Sequence, residues 1–123
     1  MSELFNNPGS TGSLKLPINA SADIDASQIE WRECGVDGFW IKPLLEDAVA
    51  GVRCWLMRLD PGAVSAPHTH AEIEQIYVLE GSFHDQDKSY GPGAYIVRAP
   101  GALHSAGSDD GALVLLVYTP AAQ

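Results

Sequence analysis

The chain has 123 residues, a hydrophobic fraction of 46% and a formal net charge of −9. Its length is sufficient for one small domain with a single core. Its acidic balance argues against binding to nucleic acid or to an anionic membrane, because both select for basic patches. No basic segment followed by an apolar one opens the chain, and the longest strongly apolar run, residues 112–118, is too short to cross a bilayer. We therefore expect a cytoplasmic protein with neither nucleic acid nor membrane as a partner.

Residues 1–17 differ in composition from the rest of the chain. Pro, Gly, Ser and Asn dominate this stretch, and such residues rarely bury enough apolar surface to become ordered on their own. The sequence predicts a flexible N-terminal arm over residues 1–17 and one folded domain over residues 18–123.

Short segments rich in β-branched and aromatic residues then alternate with turns that contain Gly or Pro. Strands are predicted over residues 39–45, 52–60, 73–80, 82–86, 94–98 and 112–118. Pro43 should restrict the first strand to a sheet edge or a bulge. Both faces of the second strand are largely apolar, so we expect it to be covered on both sides. A short helical turn near Ser27 is the main helical signal, and the pattern as a whole indicates an all-β sandwich or barrel.

Three of the four histidines belong to a cluster of metal-ligating residue types. His68, His70 and Glu74 share one parity, so on an extended strand they point to the same side, and His104 follows later. Imidazole nitrogen and carboxylate oxygen bind divalent metals of the zinc, iron, manganese and nickel type. For all four residues, the alternative is a polar network in the core without metal. For Glu74 alone, the alternative is a carboxylate that lies beside the ligands or on the surface. The fourth histidine, His84, is expected on a solvent-facing strand, with a pocket acid or base as the alternative.

The spacing of these residues resembles the two sequence motifs of the cupin superfamily. The first motif matches at every position, and its residues are Gly62, His68, His70, Glu74 and Gly81. The second matches at Gly93, Gly101 and His104, but the motif's proline is displaced to Pro100 and Ser108 stands at the usual Asn position. The resemblance implies a small cupin-type β-barrel, or jelly roll, over residues 18–123.

Within the cupins, the chain is similar to the ChrR-like cupins and to the dioxygenases that cleave acetylacetone and related diketones. The similarity rests on the neighbourhoods of Arg58, Gly62, Gly81, Tyr95 and Pro100. ChrR-like anti-sigma proteins carry a further N-terminal helical domain that has no counterpart here. The acetylacetone-cleaving enzymes have a three-histidine site, so the retained Glu74 departs from their pattern.

The resemblance implies one divalent metal ion held by His68, His70, Glu74 and His104, with Fe(II) favoured and Zn, Mn or Ni as alternatives. The expected function is a dioxygenase that cleaves C–C bonds in small diketone- or ketol-like compounds. Two alternatives stay open: a non-redox isomerase or lyase acting on a sugar-derived or keto acid, and a metal-binding sensor module without turnover.

Two arginines are candidate substrate-binding residues. Arg58 and Arg98 lie on apolar strands and are candidate anchors for a substrate oxyanion, with surface salt bridges as the alternative. Tyr118 and Met57 could line a pocket, although such residues on strands are more often core.

We expect a homodimer that binds a small-molecule substrate, because small barrels protect their exposed strand edges by pairing.

Overall fold

The computed structural model describes residues 13–121. The chain forms a single 3-10 turn in this range, Ala26–Gln28, and is otherwise built from strands. The strands are β1 Arg32–Glu33, β2 Phe39–Asp47, β3 Val52–Leu59, β4 Ile73–Gly81, β5 Phe83–His84, β6 Ser89–Tyr90, β7 Tyr95–Arg98 and β8 Ala112–Thr119. The turn contains Ser27 as predicted, but Asp25 caps it by accepting the Ser27 N–H. Nowhere in residues 13–121 is there a helix with the length and apolar character needed to cross a membrane.

The strands form two layers. One layer is a six-stranded antiparallel sheet in the order β1-β2-β3-β8-β4-β7. The other contains the β5-β6 pair and is extended by isolated bridges from Gly107 to His84 and Val64, and from His104 to His68. The predicted all-β barrel is confirmed.

The core lies between the layers and follows from strict alternation along the long strands. In β3 and β8 every second residue is buried, as expected when one face of a sheet packs on the core and the other does not. Trp55, Val78, Val114 and Phe39 are fully inaccessible to solvent. The other face of β3 is only half-buried, so the expectation that this strand is covered on both sides is wrong for the chain by itself. Apart from Arg58, its outward residues are nevertheless apolar.

Two further expectations concern the edges of the large sheet. Pro43 lies at a register shift between β2 and β3, which is the bulge alternative predicted for it, because proline cannot donate to a regular ladder. The predicted N-terminal arm falls mostly outside the described residues. In its described part, Leu14 forms a parallel bridge to Leu45 on β2: its N–H donates to the Leu44 carbonyl at 2.8 Å, and its carbonyl accepts from the Glu46 N–H at 3.0 Å.

Candidate metal centre

Three buried histidines meet between the two layers. His68 and His104 are backbone partners in an antiparallel bridge, with N–O distances of 2.8 and 3.0 Å, and His70 follows two residues after His68. The three side chains are 1–3% exposed, and their candidate ligand nitrogens all lie within 4.8 Å of one another. The parity argument thus placed two of these rings together, and the fold brings the third from a distant part of the chain.

Backbone carbonyls orient two of the three rings. Nδ1 of His68 lies 2.8 Å from the Ala66 carbonyl oxygen, and Nδ1 of His104 lies 2.9 Å from that of Ala102. A carbonyl oxygen can only accept, so each Nδ1 carries a proton, and Nε2 is the nitrogen that the neutral ring can offer to a metal. This arrangement is typical of metal-binding histidines, whose second nitrogen donates to a backbone carbonyl or a carboxylate.

Glu74 joins the histidines from the six-stranded sheet. Its side chain points inward from β4, and the strand register pairs it with Arg98 on one side and Tyr118 on the other. Oε1 lies 3.2 Å from His104 Nε2, and Oε2 lies 3.7 Å from His70 Nε2. The Tyr118 hydroxyl donates to Oε2 at 2.6 Å. The structure therefore brings all four expected ligands to one place.

The donor atoms in this cluster fit a divalent cation. Within the described part of the chain, both ring nitrogens of His70, Oε1 of Glu74 and Nε2 of His104 are buried without a hydrogen-bond partner. Burying an unsatisfied polar atom costs about 1–3 kcal/mol, so several at one point require compensation. A metal ion bound among lone pairs that face one another would supply it, and nitrogen with carboxylate oxygen is a donor set that such ions prefer.

The space beside the cluster is small and mainly apolar. The cavity has a volume of about 10 Å³, close to the space that one water-sized particle occupies. Apart from His68, Glu74, His104 and Tyr118, it is lined by apolar side chains: Met57, Ile76, Phe83, Ala106 and Leu116. Tyr118 and Met57, which sequence reasoning assigned mainly to the core, therefore also line the cavity.

The protonation states suit metal binding. Burial lowers the pKa of His68, and it lowers the pKa of His70 to about 4, so both rings are neutral at pH 7. Burial alone would raise the pKa of Glu74, but the adjoining rings of His104 and His70 and the Tyr118 hydroxyl together hold that pKa below its ordinary value. Neutral imidazoles and an ionised carboxylate are the forms that act as ligands.

We expect the metal-free protein to lose about 3 kcal/mol of unfolding free energy as the pH falls from 7 to 4. The pKa of His70 is about 4 in the folded state, against an ordinary value of 6.5. In this window the unfolded chain therefore binds a proton that the folded chain does not bind, and folding becomes less favourable. Urea denaturation in the presence of a chelator at a series of pH values measures the loss. The loss should shrink in His70→Gln and persist in His84→Gln; an equal loss in both would assign the proton to another group.

Arg98 also faces the interior, beside Glu74. Its Nε lies 3.5 Å from Glu74 Oε1, and its Nη2 lies 3.1 Å from Asp85 Oδ2. Asp85 in turn accepts hydrogen bonds from two backbone N–H groups of the following turn and from the Tyr90 hydroxyl. The guanidinium thus lies between two carboxylates, where it positions Glu74. These contacts agree with the salt-bridge alternative, and the role of Arg98 as a substrate anchor stays a prediction.

The structure does not bring Arg58 to the cluster. Trp55 points into the core from the same strand, whereas Arg58 has the opposite parity and lies on the outer face of the sheet. Its guanidinium stacks on Trp31 and Trp40, and its side chain is 41% exposed. A substrate at the histidines is out of its reach, so the expectation of an anchoring role for Arg58 is corrected.

His84 lies outside the cluster, in agreement with the expectation for a strand position near solvent. Its Nε2 is 3.6 Å from Asp109 Oδ1, and its side chain is 28% exposed. Sequence reasoning left Asp85 without a role at the site and assigned Tyr118 mainly to the core. The signal for Tyr118 was its place on a buried strand, but only the register of β8 against β4 shows that it contacts Glu74.

Comparison with known proteins agrees with this geometry. A sequence model of the ChrR Cupin-like domain matches residues 19–122. The chain belongs to the ChrR cupin-like family. A search of curated proteins found no match.

Solved structures that resemble the fold include enzymes and a regulator. An RmlC-like cupin from Shewanella frigidimarina is 23% identical with a TM-score of 0.72, over 85% of this chain and 95% of that chain. An acetylacetone dioxygenase from Acinetobacter johnsonii is 13% identical with a TM-score of 0.70, over 84% and 75%. A chain from the complex of SigE with the anti-sigma ChrR of Rhodobacter sphaeroides is 20% identical with a TM-score of 0.65, over 76% and 51%. At these identities the likeness shows the cupin fold.

Proposed function

We propose that the protein is a metal-dependent dioxygenase that cleaves a C–C bond in small diketone- or ketol-like carbonyl compounds, with Fe(II) as the favoured metal. The observation that carries the proposal is the convergence of three buried histidines and one ionised carboxylate at a buried, mainly apolar cavity. The shared fold of the acetylacetone dioxygenase supports it. Zn, Mn and Ni suit the same donors, but zinc has no redox chemistry to offer dioxygen.

His68, His70 and His104 would each supply one nitrogen to the metal, and Glu74 would supply an oxygen. Four protein ligands leave open positions on a six-coordinate ion, as in catalytic sites generally. When bound, such an ion polarises a carbonyl group and brings dioxygen next to it.

The chain's own residues prepare this site in three ways. The carbonyls of Ala66 and Ala102 fix the tautomers of His68 and His104. On the carboxylate, the Tyr118 hydroxyl holds one oxygen of Glu74. The apolar lining suits the alkyl groups of a small carbonyl compound better than a charged group, although the side chains that line this cavity of about 10 Å³ must move apart to admit such a compound.

The residues that line the cavity also favour neutral substrates over acidic ones. None of the described residues that line the cavity is a lysine or an arginine, and Arg98 is engaged by Glu74 and Asp85. A keto acid or a sugar acid would bring a second carboxylate next to Glu74, and the metal ion would have to receive it without help from a lysine or an arginine in the lining. Neutral dicarbonyls add no second carboxylate, so the lining favours them over keto acids and sugar acids as substrates.

The reaction balances without a further reductant. A 1,3-diketone and one O₂ give a carboxylic acid and a 2-oxo carbonyl compound. One C–C bond breaks, and each fragment retains one oxygen atom from dioxygen. The chain therefore needs no site for an electron-donating cosubstrate.

The test is oxygen consumption by the full-length, Fe(II)-loaded protein with a panel of 1,3-diketones and hydroxyketones, and with 2-oxo acids for contrast. We expect equimolar consumption of O₂ and diketone, ¹⁸O from ¹⁸O₂ in the acid product, and no consumption by His70→Ala. Oxygen-independent turnover by the zinc-loaded protein would overturn the dioxygenase and favour a non-redox enzyme.

A metal-sensing module without turnover is the second candidate. The small volume of the cavity and the match to the ChrR Cupin-like domain favour it. Tight zinc binding, together with no turnover of any compound in the panel under either metal, would select this function.

We also propose a homodimer in the cytoplasm. Cys34 and Cys54 are both free thiols, which suits a reducing compartment. Burial raises the pKa of each thiol, so neither is an activated nucleophile.

A further inference from the structure

The three histidines of the metal cluster are not held equally. Nδ1 of His68 and Nδ1 of His104 each donate to a backbone carbonyl, at 2.8 and 2.9 Å. Both ring nitrogens of His70, by contrast, are buried without a hydrogen-bond partner among the described residues. A partner on the second nitrogen orients a metal-binding ring and changes metal affinity by about 10–100-fold. His70 therefore lacks a contribution to metal binding that the other two rings have.

The backbone and the ring positions show the same difference. His68 and His104 are joined by the two backbone hydrogen bonds of their antiparallel bridge, and their ring centroids are 4.4 Å apart. The His70 ring is farther away, 5.0 Å from the His68 ring and 5.4 Å from the His104 ring. His70 also precedes β4 and belongs to no strand. His68 and His104 thus form a fixed pair, and His70 stands apart from it.

Glu74 lies closer to this pair than to His70. Its Oε1 is 3.2 Å from His104 Nε2. Its Oε2 is 3.7 Å from His70 Nε2 and already accepts the Tyr118 hydroxyl at 2.6 Å. The described residues that line the cavity include His68, His104 and Glu74 but not His70. Two histidines and one carboxylate form the ligand set of many Fe(II) oxygenases, which keep their other coordination positions open.

The proposed reaction requires more open positions than four protein ligands leave. A six-coordinate ion with four protein ligands has two open positions, and a 1,3-diketone that chelates through both oxygens fills them. Dioxygen, which the reaction needs next to the carbonyl group, then has no position. Three protein ligands leave three positions, which suffice for the substrate and dioxygen together.

We infer that His70 is the exchangeable ligand of the metal site: its ring leaves the ion when a chelating substrate binds, while His68, His104 and Glu74 remain. The His70 ring can turn away without breaking any hydrogen bond that the structure shows, whereas His68 and His104 would each lose the bond to a carbonyl. This inference rests on the proposed function, because the exchange provides the position that dioxygen needs.

The test uses the full-length protein loaded with Co(II), a paramagnetic ion that shifts the proton NMR signals of the rings that bind it. Without dioxygen and without substrate, we expect three sets of shifted histidine signals, one of which is absent in His70→Ala. Excess acetylacetone, as the probe diketone, should remove that same set and leave the other two. Three sets that persist with acetylacetone would overturn the inference, and so would the loss of a set that belongs to His68 or His104.

Metal affinity provides a second measurement, which needs no substrate. In competition with a chromogenic chelator, His68→Ala and His104→Ala should lose about ten- to a hundredfold more affinity for Zn²⁺ than His70→Ala, because each removes a ring together with its carbonyl partner. Equal losses in the three variants would overturn the inference. The matched control, His84→Ala, should keep the affinity of the wild type, and circular dichroism confirms that each variant is folded.

The inference and the proposed reaction can fail separately, because neither measurement depends on oxygen consumption. A protein that consumes dioxygen with diketones but keeps all three rings on the ion would contradict the exchange of His70 and leave the dioxygenase intact. A protein that releases His70 to acetylacetone but consumes no dioxygen would confirm the exchangeable ligand and contradict the dioxygenase.

Discussion

His70→Ala is expected to lower the affinity of the protein for Fe(II) and Zn²⁺ by more than about a hundredfold, because even the hydrogen-bond partners of metal ligands change affinity by about 10–100-fold. The variant removes one of three converging nitrogens and leaves Glu74 opposite an empty position. The His70 side chain makes no hydrogen bond through either nitrogen in the described structure. Its loss should therefore cost little folding free energy beyond packing.

Competition with a chromogenic chelator measures the affinity, and metal content after purification provides the second measurement. The control is His84→Ala, which removes the one histidine outside the cluster and should bind metal as the wild type does. Unchanged affinity in His70→Ala would show that this ring is part of a polar core and does not bind the metal. A loss in both variants would indicate a general effect on the fold.

Gly81→Ala is expected to lower the unfolding free energy by about 4 kcal/mol, among the largest effects of single substitutions. Gly81 has a φ of +79° at the end of β4, and an added Cβ would overlap the carbonyl oxygen of Gly111 and the Cα of Ala112. Both obstacles are backbone atoms of the paired strand, so they cannot rotate aside as a side chain would. The β4–β8 ladder that carries Glu74 and Tyr118 must separate at this end.

The control for this prediction isolates backbone strain from overlap. Gly62 has a nearly equal φ of +82°, but a Cβ there would meet no atom within 4 Å. Gly62→Ala should therefore cost only the strain of a left-handed residue, about 1–2 kcal/mol. Urea denaturation of the two variants side by side gives the difference. Equal losses would mean that strain alone sets the cost and that the close approach of Gly111 contributes nothing.

The sequence was sufficient to predict the long strands and to bring three of the four candidate ligands to one side of the chain, because both follow from local patterns. Alternation defines the strands, and the spacing of His68, His70 and Glu74 places them on one side of an extended chain. His104 came from the resemblance, since nothing local links it to residues so far away. What the pattern cannot supply is the register between strands, and the register alone places Tyr118 and Arg98 on either side of Glu74.

The wrong expectation for Arg58 has a physical cause. Parity showed correctly that Arg58 shares a face with Cys54 and Leu56, but both faces of β3 are apolar, so apolarity could not tell the inner face from the outer one. Arg98 was assigned the correct face, but its two acidic partners come from a different strand and a distant turn.

The four ligands are unevenly distributed between the two layers. His68 and His104 belong to the bridged segment of the smaller layer, and Glu74 belongs to the large sheet. An ion bound to all of them would therefore cross-link the layers, much as a disulfide would, but reversibly. A ligand that binds only the folded state adds about 4 kcal/mol to its stability at a thousand times Kd. The stability of the barrel would then depend on the supply of metal in the cell. A shortage of metal would make the chain more susceptible to proteases and would also inactivate the site.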